Sequence, residues 1–270
     1  MFLKEIAKLL ENHISPKTMS LNPEFYGFHY GDTEDNKIIK KVMVTSDLTI
    51  NLINFACKKK VNLIISLRAL INKPINKFNK ILMNKLFLLS RLSTTIFVLD
   101  CSFIAAEGGV LDTIIDILYL NLVRPFNIIN LNGKKVPLGR ICIPNIYPNQ
   151  NKMLKLEDLI KRIKYNLNLK NVQFIGELNK EINKIFLIGI ETPNEEFVER
   201  AIKYKCDCFI SGKINHNEAI LARDLGLNLI ELPKYEIENI ALKNLCNHLS
   251  LEFPKDEFIF FNSVNPYNIY

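Results

Sequence analysis

Side chains that could perform chemistry are sparse in this sequence of 270 residues. Its six cysteines form no C-x-x-C pair and lie mostly within apolar runs, as buried and reduced thiols do. The phosphate-binding P-loop, the G-x-S-x-G nucleophile motif and the G-x-G-x-x-G dinucleotide motif do not occur. Ser46-Asp47 and Ser211-Gly212-Lys213 have no base placed beside them, so nucleophilic catalysis is not expected at either.

The elements that would position any site form a pattern that occurs twice. Residues 42–71 have the hydrophobicity of a strand, a helix and a second strand, and the same pattern returns over residues 185–211. Residues 56–66 align with residues 201–211 without a gap. Each copy predicts a βαβ unit with parallel strands. The sequence therefore predicts an α/β fold, with two similar halves built on mixed sheets and facing each other across a central cleft.

The order of these elements also predicts the domain organisation. The stretch from Arg124 to Gln150 is irregular and contains four prolines, which favours a crossover between the halves. We expect a first α/β half over residues 1–125 and a second over residues 126–240. A C-terminal helix, strand and tail are expected over residues 241–270.

The net charge of +7 and the isoelectric point near 9.0 favour a polyanionic partner. Lysine-rich faces are expected on two helical segments, residues 72–90 and 154–167. The opposite, inward faces are expected to carry the apolar residues Phe78, Ile81, Leu82, Leu86 and Leu89 in the first segment and Leu156, Leu159, Ile160 and Ile163 in the second. Abundant Lys, Asn and Ile would also follow from AT-rich coding, so a purely compositional origin of the charge stays open. The candidates for nucleic-acid contact are Lys73, Lys77, Lys80, Lys85, Lys155, Lys161, Arg162 and Lys164.

The N-terminus lacks the apolar core of a signal peptide, and no apolar run reaches the roughly 18 residues that cross a bilayer. These features predict a cytoplasmic protein without a membrane partner.

Several short motifs occur in an order that matches one protein family. They are Gly27–Asp32, Asn62–Ile71, Ile96–Gly109, Gly139-Arg140, Phe209–Ile214 and Gly226–Glu238. Through these motifs nearly the whole chain resembles the NIF-three-like family, also described as dinuclear metal centre or GTP cyclohydrolase I type 2-like proteins. The resemblance implies a site where histidines and carboxylates hold two metal ions.

The resemblance also locates the positions of those metal ligands in this sequence. They are Leu67 and Arg68 for two adjacent histidines, Asp100 and Ile104 for a histidine and an aspartate, Lys234 for a later histidine, and Glu238. Only Glu238 keeps the expected residue type. We therefore expect neither a bound metal nor another cofactor.

The replaced positions suggest a new arrangement of charge. Ion pairs Arg68–Asp100 and Lys234–Glu238, or the crossed pairs, would stand in for the two metal ions. Two alternatives stay open: Arg68 and Lys234 bind an anion, or the site drifted after its function was lost.

These observations predict a non-catalytic family member that acts by binding RNA or a ribosome-type assembly. Contacts would go to phosphate and shape, since no RNA-recognition motif is present. One alternative is a metal-dependent hydrolase of nucleotides or phosphoesters, which the resemblance implies for an intact site. Another is a homo-oligomeric scaffold that binds protein.

Overall fold

A computed structural model describes residues 1–145, 153–189, 195–263 and 265–267. The chain divides into two compact units. Unit 1 comprises Met1–Phe103, Asn130–Lys134 and Glu238–Tyr270, and unit 2 comprises Ile104–Ile129 and Lys135–Ile237. The domain boundaries expected from the sequence stay a prediction. Residues 146–150 of the predicted crossover and residues 268–270 of the predicted tail lie outside the described residues.

The strands and helices are numbered in chain order. The strands are β1 (Gly27–Tyr30), β2 (Lys41–Thr45), β3 (Leu63–Ser66), β4 (Thr95–Val98), β5 (Leu120–Ile129), β6 (Lys135–Pro144), β7 (Gln173–Ile175), β8 (Ile185–Ile188), β9 (Cys208–Ser211), β10 (Asn228–Glu231) and β11 (Glu257–Phe260). The helices are α1 (Leu3–Leu9), α2 (Ile50–Lys59), α3 (Lys80–Leu89), α4 (Asp100–Ala105), α5 (Val110–Leu118), α6 (Leu156–Asn166), α7 (Glu195–Lys203), α8 (His216–Asp224) and α9 (Lys234–Glu252).

Unit 1 contains a sheet with the strand order β1-β4-β3-β2-β11. Strands β4, β3, β2 and β11 are parallel, and β1 pairs antiparallel with β4 at one edge. Strands β3 and β4 are buried along their whole length, which is typical of parallel strands covered on both faces. Leu52, Ile53 and Ala56 of α2 pack with Met43 and Ile64 in the core of this unit.

Unit 2 contains a sheet with the strand order β5-β6-β8-β9-β10-β7. Strands β8, β9 and β10 are parallel, while β5, β6 and β7 pair antiparallel with their neighbours. Its core includes Phe126, Phe186 and Phe209, and the Phe126 and Phe186 rings meet edge to face at 5.0 Å. Both sheets are therefore mixed, and the α/β fold class predicted from the sequence is confirmed.

The internal repeat extends to individual backbone positions. Lys60 ends α2 and Lys205 follows α7, both with φ of +55°. The next amide in each copy donates to the same helical carbonyl, Val61 to Ala56 at 3.1 Å and Cys206 to Ala201 at 2.9 Å. A left-handed residue closes both helices and turns the chain into the following strand. The two βαβ copies are therefore closed by the same device.

The side chain after this turn accepts equivalent backbone hydrogen bonds in both copies. Asn62 Oδ1 accepts hydrogen bonds from the amides of Lys40 and Lys41, both at 3.0 Å. Asp207 Oδ2, at the aligned position, accepts from the amides of Asn183 and Lys184 at 2.8 and 2.9 Å. Each acceptor fixes the start of the strand that opens its own copy.

The first lysine-rich segment differs from the expected helix. The helix begins only at Lys80, because the Asn79 side chain accepts a hydrogen bond from the amide of Leu82 at 2.8 Å and caps it. Phe78 and Ile81 were expected to face the core, but each is 60% exposed. Lysines 73, 77, 80 and 85 therefore do not form one helical face. Within the described residues, no helix combines the length and the apolar character needed to cross a membrane.

Candidate functional site

The candidate site in unit 1 lies where its parallel strands end. The register aligns Thr45 of β2 with Ser66 of β3, and Ser66 with Val98 of β4. The next residues of each strand, including Arg68 and Asp100, therefore emerge at the same edge of the sheet. In α/β proteins this carboxyl edge is where ligands bind.

Arg68 is the centre of an ion-pair cluster at this edge. Its Nη1 lies 3.0 Å from both carboxylate oxygens of Asp47, which follows β2. Its Nη2 donates to Oε2 of Glu238 in α9. The Glu238 side chain is buried, whereas Asp47 is 44% exposed. One guanidinium thus bridges a buried carboxylate and a solvent-facing one.

The electrostatics favour the charged form of Arg68. Burial by itself would lower the pKa of its guanidinium, but the charges of Glu238 and Asp47 outweigh that effect and raise the pKa above its usual value. Removing water from an ion pair is unfavourable unless hydrogen bonds satisfy both partners. Arg68 meets this condition because its guanidinium donates hydrogen bonds to the carboxylates of Asp47 and Glu238.

Lys85 of α3 lies within electrostatic range of the same cluster. The Lys85 side chain is half-buried; burial lowers its pKa, against the opposing pull of the Asp47 carboxylate. The sequence suggested a solvated lysine on a nucleic-acid surface. The structure instead places this ammonium near Asp47, on the side of α3 that is not fully exposed.

Asp100 has a different partner from the one we hypothesised. It was expected to pair with Arg68, but its Oδ2 accepts a hydrogen bond from the Ser20 hydroxyl at 2.7 Å. Its backbone lies in the left-handed region, with φ of +51°, which is uncommon for a residue other than glycine. Of the two crossed pairs, the one between Arg68 and Glu238 is present.

Asp47 was missed as a site residue by the sequence analysis. It follows β2, the strand directly beside β3, which precedes Arg68. The signal was available, because side chains that follow adjacent parallel strands meet at one edge. The resemblance drew attention only to positions of former ligands.

Two of the six carried-over positions lie in unit 2. Ile104 is buried and its Cγ2 occupies the space that a side chain at Gly189 would fill. Lys234 is half-buried at the first turn of α9. The Arg140 guanidinium, in the Gly-Arg motif, is buried in the same unit and donates to Asp112 Oδ1 and to the Ala105 carbonyl. Arg140 thereby links β6 to the ends of α4 and α5.

The second basic segment forms the exposed face of α6 in unit 2. As expected, its apolar residues Leu156, Leu159, Ile160 and Ile163 are buried. Lys161 and Lys164 are exposed, and Tyr165 beside them is 87% exposed. Arg162 is half-buried and donates to the Leu118 carbonyl at 3.2 Å.

A cleft of about 720 Å³ lies beside this face, entirely within unit 2. Side chains of α6 and of the segments packed against it line the cleft, and they combine two cations, one carboxylate, two aromatic rings and three amides. They include Tyr119, Lys161, Arg162, Tyr165, Asn166 and Asn183.

The residues at the carried-over positions do not fit a pair of metal ions. In unit 1 they are one aliphatic side chain, one cation and two carboxylates: Leu67, Arg68, Asp100 and Glu238. A dimetal site needs imidazoles and shared carboxylates, and a permanent cation beside them repels divalent ions. Across the described residues, no group of three or more His, Cys, Asp or Glu side chains is arranged to hold a metal ion.

Comparison with known proteins gives the family of this chain. The profile described as Duf34/NIF3 (NGG1p interacting factor 3) matches residues 1–266. The chain belongs to the DUF34/NIF3 family. A relative of this family member is the GTP cyclohydrolase 1 type 2 homolog of Methanocaldococcus jannaschii, which is 25% identical over 250 residues, 92% of this chain and 94% of the relative.

Solved structures similar to this DUF34/NIF3 protein support the same fold. Reduced HcgD from Methanocaldococcus jannaschii has a TM-score of 0.79 and 24% identity, over 97% of this chain and 98% of that one. A Bacillus cereus protein related to NIF3 has a TM-score of 0.80 and 14% identity, over 100% of this chain and 99% of that one. The family resemblance predicted from the sequence motifs is confirmed.

Proposed function

We propose that this member of the DUF34/NIF3 family acts by binding and not by dimetal catalysis. The observation that supports the proposal is the position of Arg68, whose guanidinium bridges Asp47 and Glu238 where the resemblance implies a metal ligand. The cation balances the buried Glu238 carboxylate that a metal ion would otherwise balance. Lys85 adds a second positive charge near Asp47.

We further propose that the partner is RNA and that α6 forms the contact surface. Lys164 presents an exposed ammonium group that suits phosphate, and Tyr165 presents an exposed ring on which a base can stack. Lys161 is exposed as well but pairs with Glu157, so a phosphate would have to share or replace that carboxylate. Tyr119 is 46% exposed and lines the adjoining cleft. Cations interleaved with aromatic rings are the usual components of a surface for single-stranded nucleic acid.

The other lysine candidates have surroundings that fit RNA less well. Lys85 is half-buried beside Asp47, and Lys73, Lys77 and Lys80 are exposed among apolar side chains. The proposal therefore depends on α6. Lys155 precedes this helix and is half-buried, so it would contribute less than Lys161 and Lys164.

The metal part of the proposal is tested by metal content. The purified chain is incubated with Mn²⁺ or Zn²⁺, passed through a desalting column and analysed by plasma mass spectrometry. We expect far less than one ion per chain, both in the wild type and in Glu238→Gln. Retention of two ions per chain that is lost in Glu238→Gln would overturn the proposal and favour a metal-dependent hydrolase.

The RNA part is tested by fluorescence anisotropy with a labelled single-stranded RNA at several salt concentrations. We expect Tyr165→Ala to weaken binding by about 1–3 kcal/mol, and Lys161→Gln with Lys164→Gln to make the salt dependence shallower. Lys243→Gln with Lys255→Gln removes the same charge from exposed positions of unit 1 and is expected to leave the α6 contact intact.

A sucrose gradient of native lysate, repeated after nuclease and after a high-salt wash, tests the assembly. Sedimentation with ribosomes that high salt abolishes would agree with phosphate contacts. The RNA surface would be ruled out by two results together: nuclease does not change the sedimentation, and the α6 variants bind the labelled RNA as the wild type does in the anisotropy assay.

A further inference from the structure

Helix α3 of unit 1 has two apolar faces, and only one of them is covered. Leu82, Leu86 and Leu89 face inward, with Leu89 fully buried. The opposite face carries Lys80, Met83, Asn84 and Phe87, at the spacing of residues that share one side of a helix. Met83 is 51% exposed and Phe87 is 57% exposed. A surface helix normally presents polar side chains on this side.

The exposed apolar surface continues into the segment before the helix. Ile75, Phe78 and Ile81 are 43%, 60% and 60% exposed, so five large apolar side chains face solvent within residues 75–87. Contiguous apolar surface of this kind is uncommon on a monomeric protein and usually marks a binding surface.

Every charged residue in this part of the chain is a cation. Residues 48–99 contain seven lysines and two arginines but no aspartate or glutamate. Lys73, Lys77 and Lys80 are exposed between the apolar side chains, and the Arg91 guanidinium lies 4.2 Å from the centre of the Phe87 ring. The surface therefore combines apolar insertion groups with a uniform positive charge.

We propose that the segment from Lys73 to Arg91 docks on the surface of an anionic phospholipid bilayer. Phe78, Ile81, Met83 and Phe87 would enter the interface between headgroups and acyl chains, while the lysines contact lipid phosphates. The sequence analysis predicted no membrane partner because no segment could span a bilayer; this proposal departs from that prediction, since surface docking needs no spanning segment. This site shares no residue with the proposed RNA surface on α6.

Charge complementarity favours lipid over the other occupants of this surface. RNA phosphates would satisfy the lysines, but they offer nothing to Ile75, Ile81 or Met83. A two-fold pairing with a second copy would bury the apolar side chains, but it would bring Lys73, Lys77 and Lys80 of each copy together, where like charges repel. An anionic bilayer satisfies both kinds of side chain.

The proposal is tested by co-sedimentation of nuclease-treated protein with vesicles of phosphatidylcholine alone or mixed with phosphatidylglycerol. We expect binding to the mixed vesicles to be about tenfold or more stronger. Met83→Gln with Phe87→Gln, and separately the triple change of Lys73, Lys77 and Lys80 to Gln, should each weaken it about tenfold. As a charge-matched control, Lys170, Lys243 and Lys255 are exposed elsewhere, and changing them to Gln should alter binding less than about twofold.

A second measurement covers the case in which a variant fails to fold. The chain contains no tryptophan, so Phe87→Trp provides a single fluorescent reporter on this surface, and Leu251→Trp provides one at an exposed position of α9. Mixed vesicles should shift the tryptophan emission of the Phe87→Trp variant to shorter wavelength and leave the emission of the Leu251→Trp variant unchanged.

Three results would overturn the proposal. Equal binding to both vesicle types would remove the role of the lysines, and an unshifted Phe87→Trp emission would place the helix outside the bilayer. The third result combines two observations: the wild type does not bind vesicles, and its mass in solution is that of an oligomer, whereas the variant with Met83→Gln and Phe87→Gln has the mass of a monomer. That result would assign the surface to a second copy. Because none of these readouts involves α6, failure here leaves the proposed RNA contact to its own test.

Discussion

Arg68 and Asp47 each lie two residues past the end of neighbouring parallel strands, and Arg68 Nη1 lies 3.0 Å from Asp47 Oδ1. The register of β2 and β3 therefore places this ion pair, since Thr45 and Ser66 are aligned partners. Backbone bonds continue past the strand ends, with the Arg68 amide donating to the Ser46 carbonyl at 3.1 Å. The sheet therefore sets the geometry of the charged cluster, and Glu238 is its buried member.

Replacing Arg68 by Ala is expected to lower the free energy of unfolding by about 3 kcal/mol, because the buried Glu238 carboxylate loses its guanidinium donor. Replacing both partners with apolar residues, as in Arg68→Met with Glu238→Leu, should recover most of this loss. Urea unfolding followed by circular dichroism measures both effects.

The matched control for this prediction is Arg200→Ala. Arg200 also pairs with a glutamate, Glu196, but both side chains are about half exposed, at 42% and 50%. An exposed helical pair contributes about 0.5 kcal/mol or less, so this change should be nearly neutral. Equal losses in Arg68→Ala and Arg200→Ala would show that burial of Glu238 does not matter.

Lys85 gives the protein an expected pH dependence at alkaline pH. Its pKa is lowered in the folded state, mainly by burial, so the folded protein binds fewer protons than the unfolded protein as the pH approaches the usual lysine value. Burial of the charged Lys85 side chain therefore lowers the free energy of unfolding. This effect is complete below the pKa of Lys85 in the folded state and disappears as the pH rises to its pKa in the unfolded state. Stability should therefore rise over this window in the wild type relative to Lys85→Met.

Thermal unfolding at several pH values between neutral and alkaline tests this prediction. Lys77→Met, at an exposed position of the segment before α3, serves as the control. If the wild type and Lys85→Met have parallel profiles, Lys85 is not desolvated in the folded protein.

The sequence predicted the repeated βαβ units because their apolar runs and turn positions recur at a fixed offset, and the structure reproduces this at Lys60 and Lys205. The pairing of Arg68 was only partly predictable. Residue types at the carried-over positions suggested an ion pair with Glu238 or Asp100, but they carried no information about Asp47. The predicted βαβ unit placed β2 beside β3, so the residues that follow both strands could have been compared, but the distance between the two side chains is set only in the folded sheet.

The amphipathic pattern of residues 72–90 failed for a related reason. Apolar residues occur on all sides of α3, so periodicity alone could not decide which side packs inward. Asn79 starts the helix late, so Phe78 precedes it, and Ile81 lies on the exposed side of α3. For α6, charged and apolar residues separate more clearly, and its four apolar residues are buried as expected, whereas Arg162 is half-buried.

The two glycines of the early motif should differ in their tolerance to alanine. Gly31 has φ of +90°, and a Cβ there would lie 2.1 Å from the Thr94 carbonyl oxygen, so the backbone would have to move. Gly27 has φ of +100° but open space around it. We expect Gly27→Ala to cost about 1 kcal/mol from backbone strain and Gly31→Ala to cost several times more. Similar unfolding midpoints for the two variants would contradict the close approach of Gly31 to Thr94.

The cysteines should differ in their reactivity towards iodoacetamide in the folded protein. Burial raises the pKa of Cys142 to about 12 and that of Cys206 to about 11, and burial also raises the pKa of Cys208. Because the thiolate is the reactive form, these thiols should be alkylated only on unfolding. Cys57 and Cys101 are half-buried and should react first.

Timed alkylation at mildly alkaline pH, followed by peptide mass spectrometry, distinguishes the two groups. The same reaction in urea is the control, since all six thiols should then react at comparable rates. Rapid native labelling of Cys208, in the middle of the unit 2 sheet, would mean that β9 opens to solvent far more often than a buried parallel strand should.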